Sequence, residues 1–435
     1  MNNLRPFQLV LLAFFGLLAL AALVFLSVYQ ANKQQTARAY GNKVEIWGTL
    51  PQATFKELFQ EIVRTDKAFT VVTYKQVSEV SFDDEFVNAV AEGRSPDLVL
   101  LGADRLVKHR VKLQPISYTT LPLREFKDTF VDGSEIFALE QGVYALPLLI
   151  DPLVMYWNRD LFSSNGLSQP PKSWEQVVNE VVPKITLRSN TREITQSGLS
   201  FGEYRNVENA KKILLMLALQ TGSKMITTAD SKYKVGLNES QGDSVAHPFE
   251  SVVQFYTDFS NVNSPLYSWN RAVSSAKSTF LAGNLALYFG LGSEYKDIAD
   301  KNPNLNFDIA QVPQGAQATV LRTYGDIYAL AIPKASVNQQ GAFAVAKVLT
   351  NKSNAKALSE ALSMAPARRD AIAVGSDNPF RKVVLQSALI VRAWLDPEKS
   401  KSEDVFRQMV EDVVSNRARV GGAVKDAIDR LKLAF

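Results

Sequence analysis

The sequence predicts an α/β fold of two lobes, preceded by one N-terminal transmembrane helix. Three observations carry this. Between residues 44 and 101, short strand-like runs alternate with amphipathic helical stretches, the pattern of a parallel sheet with right-handed crossovers. Residues 144–162 hold two apolar, strand-like runs separated by Asp151-Pro152. Proline has no amide to give a ladder, so the chain is expected to extend, break and extend again. Such a break lets the chain leave one lobe for another, with the Asp151 carboxylate at the seam. Finally, residues 9–28 carry no charged side chain. At about 1.5 Å per residue they cover the roughly 30 Å of a bilayer core.

Composition narrows the chemistry. Of 435 residues, 46% are apolar and 21% charged, enough for full cores, and the length points to two or three domains. A formal net charge of +4 does not argue for nucleic acid. The densest basic cluster, Arg105, Lys108, Arg110 and Lys112 around His109, reads as a solvated face. The absence of cysteine excludes disulfides, thiol catalysis and Cys-ligated zinc. The two histidines, His109 and His247, cannot furnish a multi-His zinc site, and neither lies in a nucleophile motif. No cofactor or metal is expected.

At the N-terminus, Tyr29 ends the apolar span, where interfacial aromatics are common. The span is longer than the apolar core of a cleaved signal peptide, and the small-x-small triplet Ala37-Arg38-Ala39 lies well beyond its end. Residues 1–30 therefore read as an uncleaved anchor and residues 31–43, polar and without apolar period, as a tether. Arg5 precedes the span, whereas Lys33, Arg38 and Lys43 follow it. Charge bias alone places the large domain in the cytoplasm, yet long domains translocate largely regardless of flanking charge.

The elements follow in order. Residues 44–47 alternate as a strand. Phe55, Leu58, Phe59, Ile62 and Val63 recur at helical spacing over 53–64. Residues 69–74 read as a strand. Ser81 reads as the N-cap of a helix whose first turn holds Asp83, Asp84 and Glu85, acids that a helix N-terminus favours. Residues 96–101 form a buried strand. Ligands of such sheets bind beyond the carboxyl ends of the strands, which singles out Trp47 after the first strand and Asp104-Arg105 after the third. A tryptophan face stacks on a sugar ring, and an Asp-Arg pair bonds hydroxyls.

Further on, Ser173 reads as an N-cap after Pro170-Pro171. A strand is expected over 197–201 and a helix over 212–221, with Tyr204, Arg205 and Asn206 between them. Another helix covers 250–259. Residues 280–290 read as a helix end, a Gly283-Asn284 turn and a strand, a second crossing. Gly290-Leu291-Gly292 lacks the spacing of a dinucleotide fingerprint. Asp300, Asn302 and Asn304 lack the glycine and glutamate of a calcium loop. Strands are expected over 307–312 and 327–332, with Thr323-Tyr324-Gly325-Asp326 as a turn that reaches a cleft. Helices cover 340–350, 383–394, 405–414 and 424–431, with a break at 365–369.

Several of these segments resemble the phrasing of one family. Ser95-Pro96-Asp97-Leu98-Val99, Tyr144-Ala145-Leu146-Pro147, Met155-Tyr156-Trp157-Asn158-Arg159-Asp160-Leu161-Phe162, Pro171-Lys172-Ser173-Trp174-Glu175 and Phe280-Leu281-Ala282-Gly283-Asn284-Leu285-Ala286-Leu287 occur in the order and spacing of the extracellular solute-binding proteins of bacterial ABC importers, maltose-binding type. The resemblance covers about residues 44–435. It implies a periplasmic-binding-protein-like fold of type II, with a hinge and a central cleft. One lobe would hold 44–150 with 289–349, the other 151–288 with 350–435. Asp104-Arg105 then matches a pair that contacts sugar hydroxyls, and Asp151 an acidic cleft residue. Where relatives carry sugar-stacking tryptophans, this chain has Gly292 and Glu294. Many relatives are lipoproteins held through a cysteine; here the uncleaved helix would keep the receptor beside its importer.

The resemblance implies a non-enzymatic, monomeric receptor on the extracytoplasmic side of the cell membrane. It would capture a small solute, a sugar or oligosaccharide, through Trp47, Asp104, Arg105, Asp151, Tyr204, Gly292, Glu294 and Tyr324. Its partner would be an ABC transporter permease. Two alternatives belong to other classes: a membrane-anchored sensor or adaptor, and a surface hydrolase using Asp104 and Asp151 as acid and base.

Overall fold

A computed structural model describes residues 15–24, 40–41, 43–223, 225–229, 232–239 and 247–434. Most of the expected anchor and tether lies outside these residues. Residues 15–24 are helical with exposed side chains. Among the described residues no helix is long and apolar enough to cross a membrane. The chain divides into two compact units, one from residues up to 98 with 335–348, the other from 99–334 with 349–435.

In the first unit, strands β1 (Val44–Gly48) and β2 (Val72–Gln76) run parallel, with Trp47 opposite Lys75. Helix α1 (Gln52–Thr65) buries Phe55, Leu58, Phe59 and Ile62 on one face. Phe55 stacks on Tyr74 at 3.9 Å between centroids, and Phe59 meets Phe69 edge-on at 5.3 Å. The strand expected from residue 69 starts later. The Asp66 carboxylate accepts from the Ala68 amide at 3.0 Å and winds Lys67–Val71 into a 3₁₀ turn. Helix α2 (Phe82–Ala91) has its three acids in the first turn, but Ser81 does not cap it. Its backbone is already helical, and its hydroxyl donates to Glu85 at 2.7 Å. Asp97 ties distant segments of this unit, accepting from the Glu45 amide at 3.0 Å and the Ser336 hydroxyl at 2.8 Å.

The second unit is built on β3 (Leu98–Gly102), β4 (Leu146–Asn158), β5 (Ile194–Leu199), β6 (Leu285–Leu291), β7 (Phe307–Ala310) and β8 (Thr323–Pro333). The strand order is β3-β8-β4-β6-β5, and β7 also pairs with β4. Strands β3 and β4 run antiparallel to β8, while β5 and β6 are parallel. Its helices include α3 (Ala210–Gln220), α4 (Pro248–Asp258), α5 (Ala276–Leu281), α6 (Glu294–Lys301), α7 (Pro379–Leu389), α8 (Lys399–Val414) and α9 (Val420–Lys432). Ser173 caps its helix in a full capping box with Gln176.

Strand β4 corrects the expected break. It runs unbroken through Asp151-Pro152 for 13 residues, every one buried. The ladder to β8 ends with Gly325 opposite Pro152, and the ladder to β6 begins with Leu291 opposite Leu153. The proline sits where β4 changes partners, the place where a missing amide costs least. Asn158 ends the strand and caps the next turn, accepting from the Asp160 and Leu161 amides.

The turn expected at 323–326 is likewise strand. Gly325 signals a turn in isolation, but here it permits close approach: a Cβ there would meet the Asp151 carbonyl oxygen and a Val391 methyl, each at 2.9 Å. The helix expected over 383–394 ends at Leu389, and Val391–Arg392 instead pair with the start of β8, Tyr324 opposite Arg392. The β-branched Val391 favours that extended pairing.

Candidate functional site

The N-terminal turn of α3 carries Lys211 and Lys212, two cations opening an otherwise apolar helix. Consecutive helical positions diverge by about 100°, so the two ammoniums reach different partners. Lys212 pairs with Asp326 of β8. Lys211, only 8% exposed, donates to the Asp396 carboxylate and the Ser402 hydroxyl, each at 2.6 Å. Glu403 lies 3.7 Å from it, and the Trp394 ring covers it at 5.2 Å.

Two further segments bring charge to the same region. Asp104 follows β3 and pairs at 2.7 Å with Lys399, the first residue of α8. Lys108 meets the neighbouring Glu398 at 3.8 Å. The Tyr204 hydroxyl donates to Glu403 at 2.6 Å, while Arg205 binds Glu411 at 2.6 Å. Burial disfavours the Asp104 carboxylate, but Lys399, Arg105 and Lys212 outweigh burial and hold its pKa below the ordinary value. Burial likewise opposes the Lys212 ammonium, and Asp326 overcomes it, raising that pKa. Tyr324 is 6% exposed. Burial, then the field of Asp326, Asp104, Asp396 and Glu403, pushes its pKa well up, so its hydroxyl keeps its proton.

Asp151 sits opposite Asp326 across the β4–β8 ladder. It is 1% exposed. One carboxylate oxygen accepts from the Ser293 amide at 2.9 Å; the other is buried with no hydrogen-bond partner. Burial pushes its pKa up to about 7, with Asp326 adding to the rise and Ser293 and Lys212 opposing it.

The sequence-predicted residues divide into groups. Asp104, Arg105, Tyr204 and Tyr324 belong to the ion-pair cluster, and Asp151 adjoins it through Asp326. Arg105 and His109, expected on a solvated face, are 5% and 0% exposed. Glu294 serves the fold: its oxygens accept from the Leu291 amide, Asn209, Tyr288 and Lys277, at 2.7–3.1 Å. Gly292 is packed tightly, since a Cβ there would lie 3.2 Å from Val384 and 3.4 Å from Asp151. Trp47 lies in the first unit, with Lys75 over its ring at 3.9 Å and its indole nitrogen buried without a partner. Of the five tryptophans, Trp47, Trp157, Trp269 and Trp394 are buried, and Trp174 stacks on Phe289. The cluster can therefore offer charged hydrogen-bond donors and acceptors, but few open aromatic faces. Sequence reasoning missed Lys211, Lys212, Asp326, Asp396, Lys399 and Glu403. The one local signal was the lysine pair heading an apolar helix.

A family profile described as bacterial extracellular solute-binding protein matches residues 60–382. No curated protein sequence matches the chain. Among solved structures, a cyclo/maltodextrin-binding protein complexed with maltotetraose superposes with a TM-score of 0.71 at 16% identity, over 90% of this chain and 96% of that one. The GacH receptor of Streptomyces glaucescens GLA.O, studied unliganded and with acarbose, gives 0.68 at 17% identity, over 90% and 98%. A maltotriose binding protein of Thermus thermophilus bound with maltotriose gives 0.64 at 18%, over 90% and 100%. At these identities the likeness establishes the fold, the two-lobed α/β fold of periplasmic binding proteins.

Proposed function

This chain belongs to the bacterial extracellular solute-binding proteins, and from that premise we propose that its solute is a sugar or oligosaccharide, delivered to an ABC importer. The observation that carries this reading is the ion-pair cluster of Asp104, Lys399, Lys212 and Asp326. Carboxylates accept from hydroxyls and ammoniums donate to them, and such charge-assisted bonds are about twice as strong as neutral ones. A polyol exchanges both kinds of bond at once, so neither partner of a broken pair is left unsatisfied. With four of the five tryptophans buried, recognition rests on hydrogen bonds more than on ring stacking. The sugar-binding neighbours support the same class.

The proposal includes the lobe division 44–150 with 289–349 and 151–288 with 350–435. It also includes anchoring through residues 9–28, which keeps the receptor extracytoplasmic and close to its permease. A thermal-shift screen of the full chain against maltotetraose, monosaccharides, polyamines, amino acids and peptides tests it. A ligand of the folded state raises the melting temperature by mass action. A sugar should do so, and Asp104→Ala should abolish the rise. A shift with another class alone sinks the sugar assignment; conversion of the bound solute into product sinks the receptor reading.

A further inference from the structure

The opposite end of α3 faces a cavity of about 290 Å³, lined by Arg322, Arg392, Trp394, Leu219, Met225 and Leu395 among others. Leu219 lies seven residues beyond Lys212, about 10 Å along the helix at 1.5 Å per residue. The charge balance here differs from that of the ion-pair cluster. Arg392 and Arg369 both bind one carboxylate, Asp132. Arg322 is half-buried, and its guanidinium makes no hydrogen bond or ion pair among the described residues. Burial and then the neighbouring Arg392 push its pKa down, and Asp132 is the acid that pulls against them. Three guanidiniums thus share a single carboxylate. The Trp394 side chain also lines the cavity, and its indole nitrogen is buried without a partner. Buried cations in folded proteins are ordinarily paired, because an uncompensated one is costly. The fork of a guanidinium matches the two oxygens of an oxyanion. Apart from Ser223, whose hydroxyl is engaged with Thr221, the rest of the lining is apolar.

We infer that this cavity is a second ligand site, separate from the solute cluster, that takes a compact organic oxyanion with an apolar body, a carboxylate or phosphate ester whose charge meets Arg322 and Arg392. The volume lies near the lower end of ligand pockets, about 300–1,000 Å³, which sets the ligand as small.

Calorimetric titration of the full chain with benzoate and with phenyl phosphate, at low ionic strength, tests this. Saturable binding of a probe is expected, with Arg322→Gln weakening it about tenfold or more and Arg322→Lys retaining part of it. Since Arg322 has no partner to orphan, Arg322→Gln should melt no lower than the wild type in probe-free buffer. Asp104→Ala, which should abolish sugar binding, should leave the probe affinity unchanged. That separates failure of this site from failure of the sugar assignment. No saturable binding of either probe, unchanged affinity in Arg322→Gln, a fall in its probe-free stability, or loss of probe binding in Asp104→Ala would each overturn the inference.

Discussion

Asp104 and Asp151 are aspartates of one unit, and their surroundings drive them apart. Asp104 meets the Lys399 ammonium at 2.7 Å, and its pKa is held below the ordinary carboxylate value. Asp151 has one amide donor and an orphaned oxygen, and burial lifts it to about 7. Burial opposes the charged form in both. The counter-cation decides the outcome, so burial alone is a poor guide to which acid stays ionised. The paired region is suited to exchange its bonds with a polar solute. The half-paired one responds to pH.

The largest effect expected is from breaking the paired region at its most buried point. Asp396→Ala leaves Lys211 with Ser402 and the more distant Glu403, and should cost about 3–5 kcal/mol in urea unfolding. Replacing both partners, Lys211→Met with Asp396→Leu, should recover most of that loss. A similar loss in the double variant would show that the pair is not a closed unit.

The half-paired region predicts a pH signature of opposite sign. The Asp151 carboxyl goes from an ordinary value near 3.8 to about 7 on folding. Between those values the folded state binds more protons than the unfolded. Its contribution is therefore full below about pH 4 and is lost as pH rises to about 7, at most about 4 kcal/mol. Asp151→Asn should remove this slope, measured as unfolding free energy between pH 5 and 8. Asp104 behaves inversely: its contribution is present above its ordinary pKa and is lost in acid. A pH slope unchanged in Asp151→Asn would contradict the contrast.

Two smaller effects sharpen the same comparison. Gly325 allows the close approach of β8 that encloses Asp151, so Gly325→Ala should cost about 1–3 kcal/mol through overpacking, read from the denaturation midpoint. Tyr204→Phe removes one hydroxyl bond to Glu403, a side chain 51% exposed, and should cost about 1 kcal/mol.

Legibility follows the range of the interactions. Helix Gln52–Thr65 is legible because Phe55, Leu58, Phe59 and Ile62 carry its burial at local spacing. The capping box at Ser173 is equally local. Strand Leu146–Asn158 reads as broken because the proline rule concerns a single ladder, whereas the ladders here change at Pro152. Thr323–Asp326 reads as a turn because Gly325 signals one; its actual duty is to make room for Asp151 and Val391. The pairing partners of the ion pairs have no local signature. Lys212 and Asp326 lie 114 positions apart, and Asp104 and Lys399 are farther still. Only the two lysines at the head of an apolar helix mark the place.

The central claim is that the ion-pair cluster binds a sugar. Isothermal calorimetry of the full chain with maltotetraose, wild type beside Asp104→Ala and Asp326→Asn, tests it most directly. Saturable heat in the wild type and its loss in both variants, with each still folded by circular dichroism, is the predicted result. Binding that survives both substitutions would place the solute elsewhere and contradict the account.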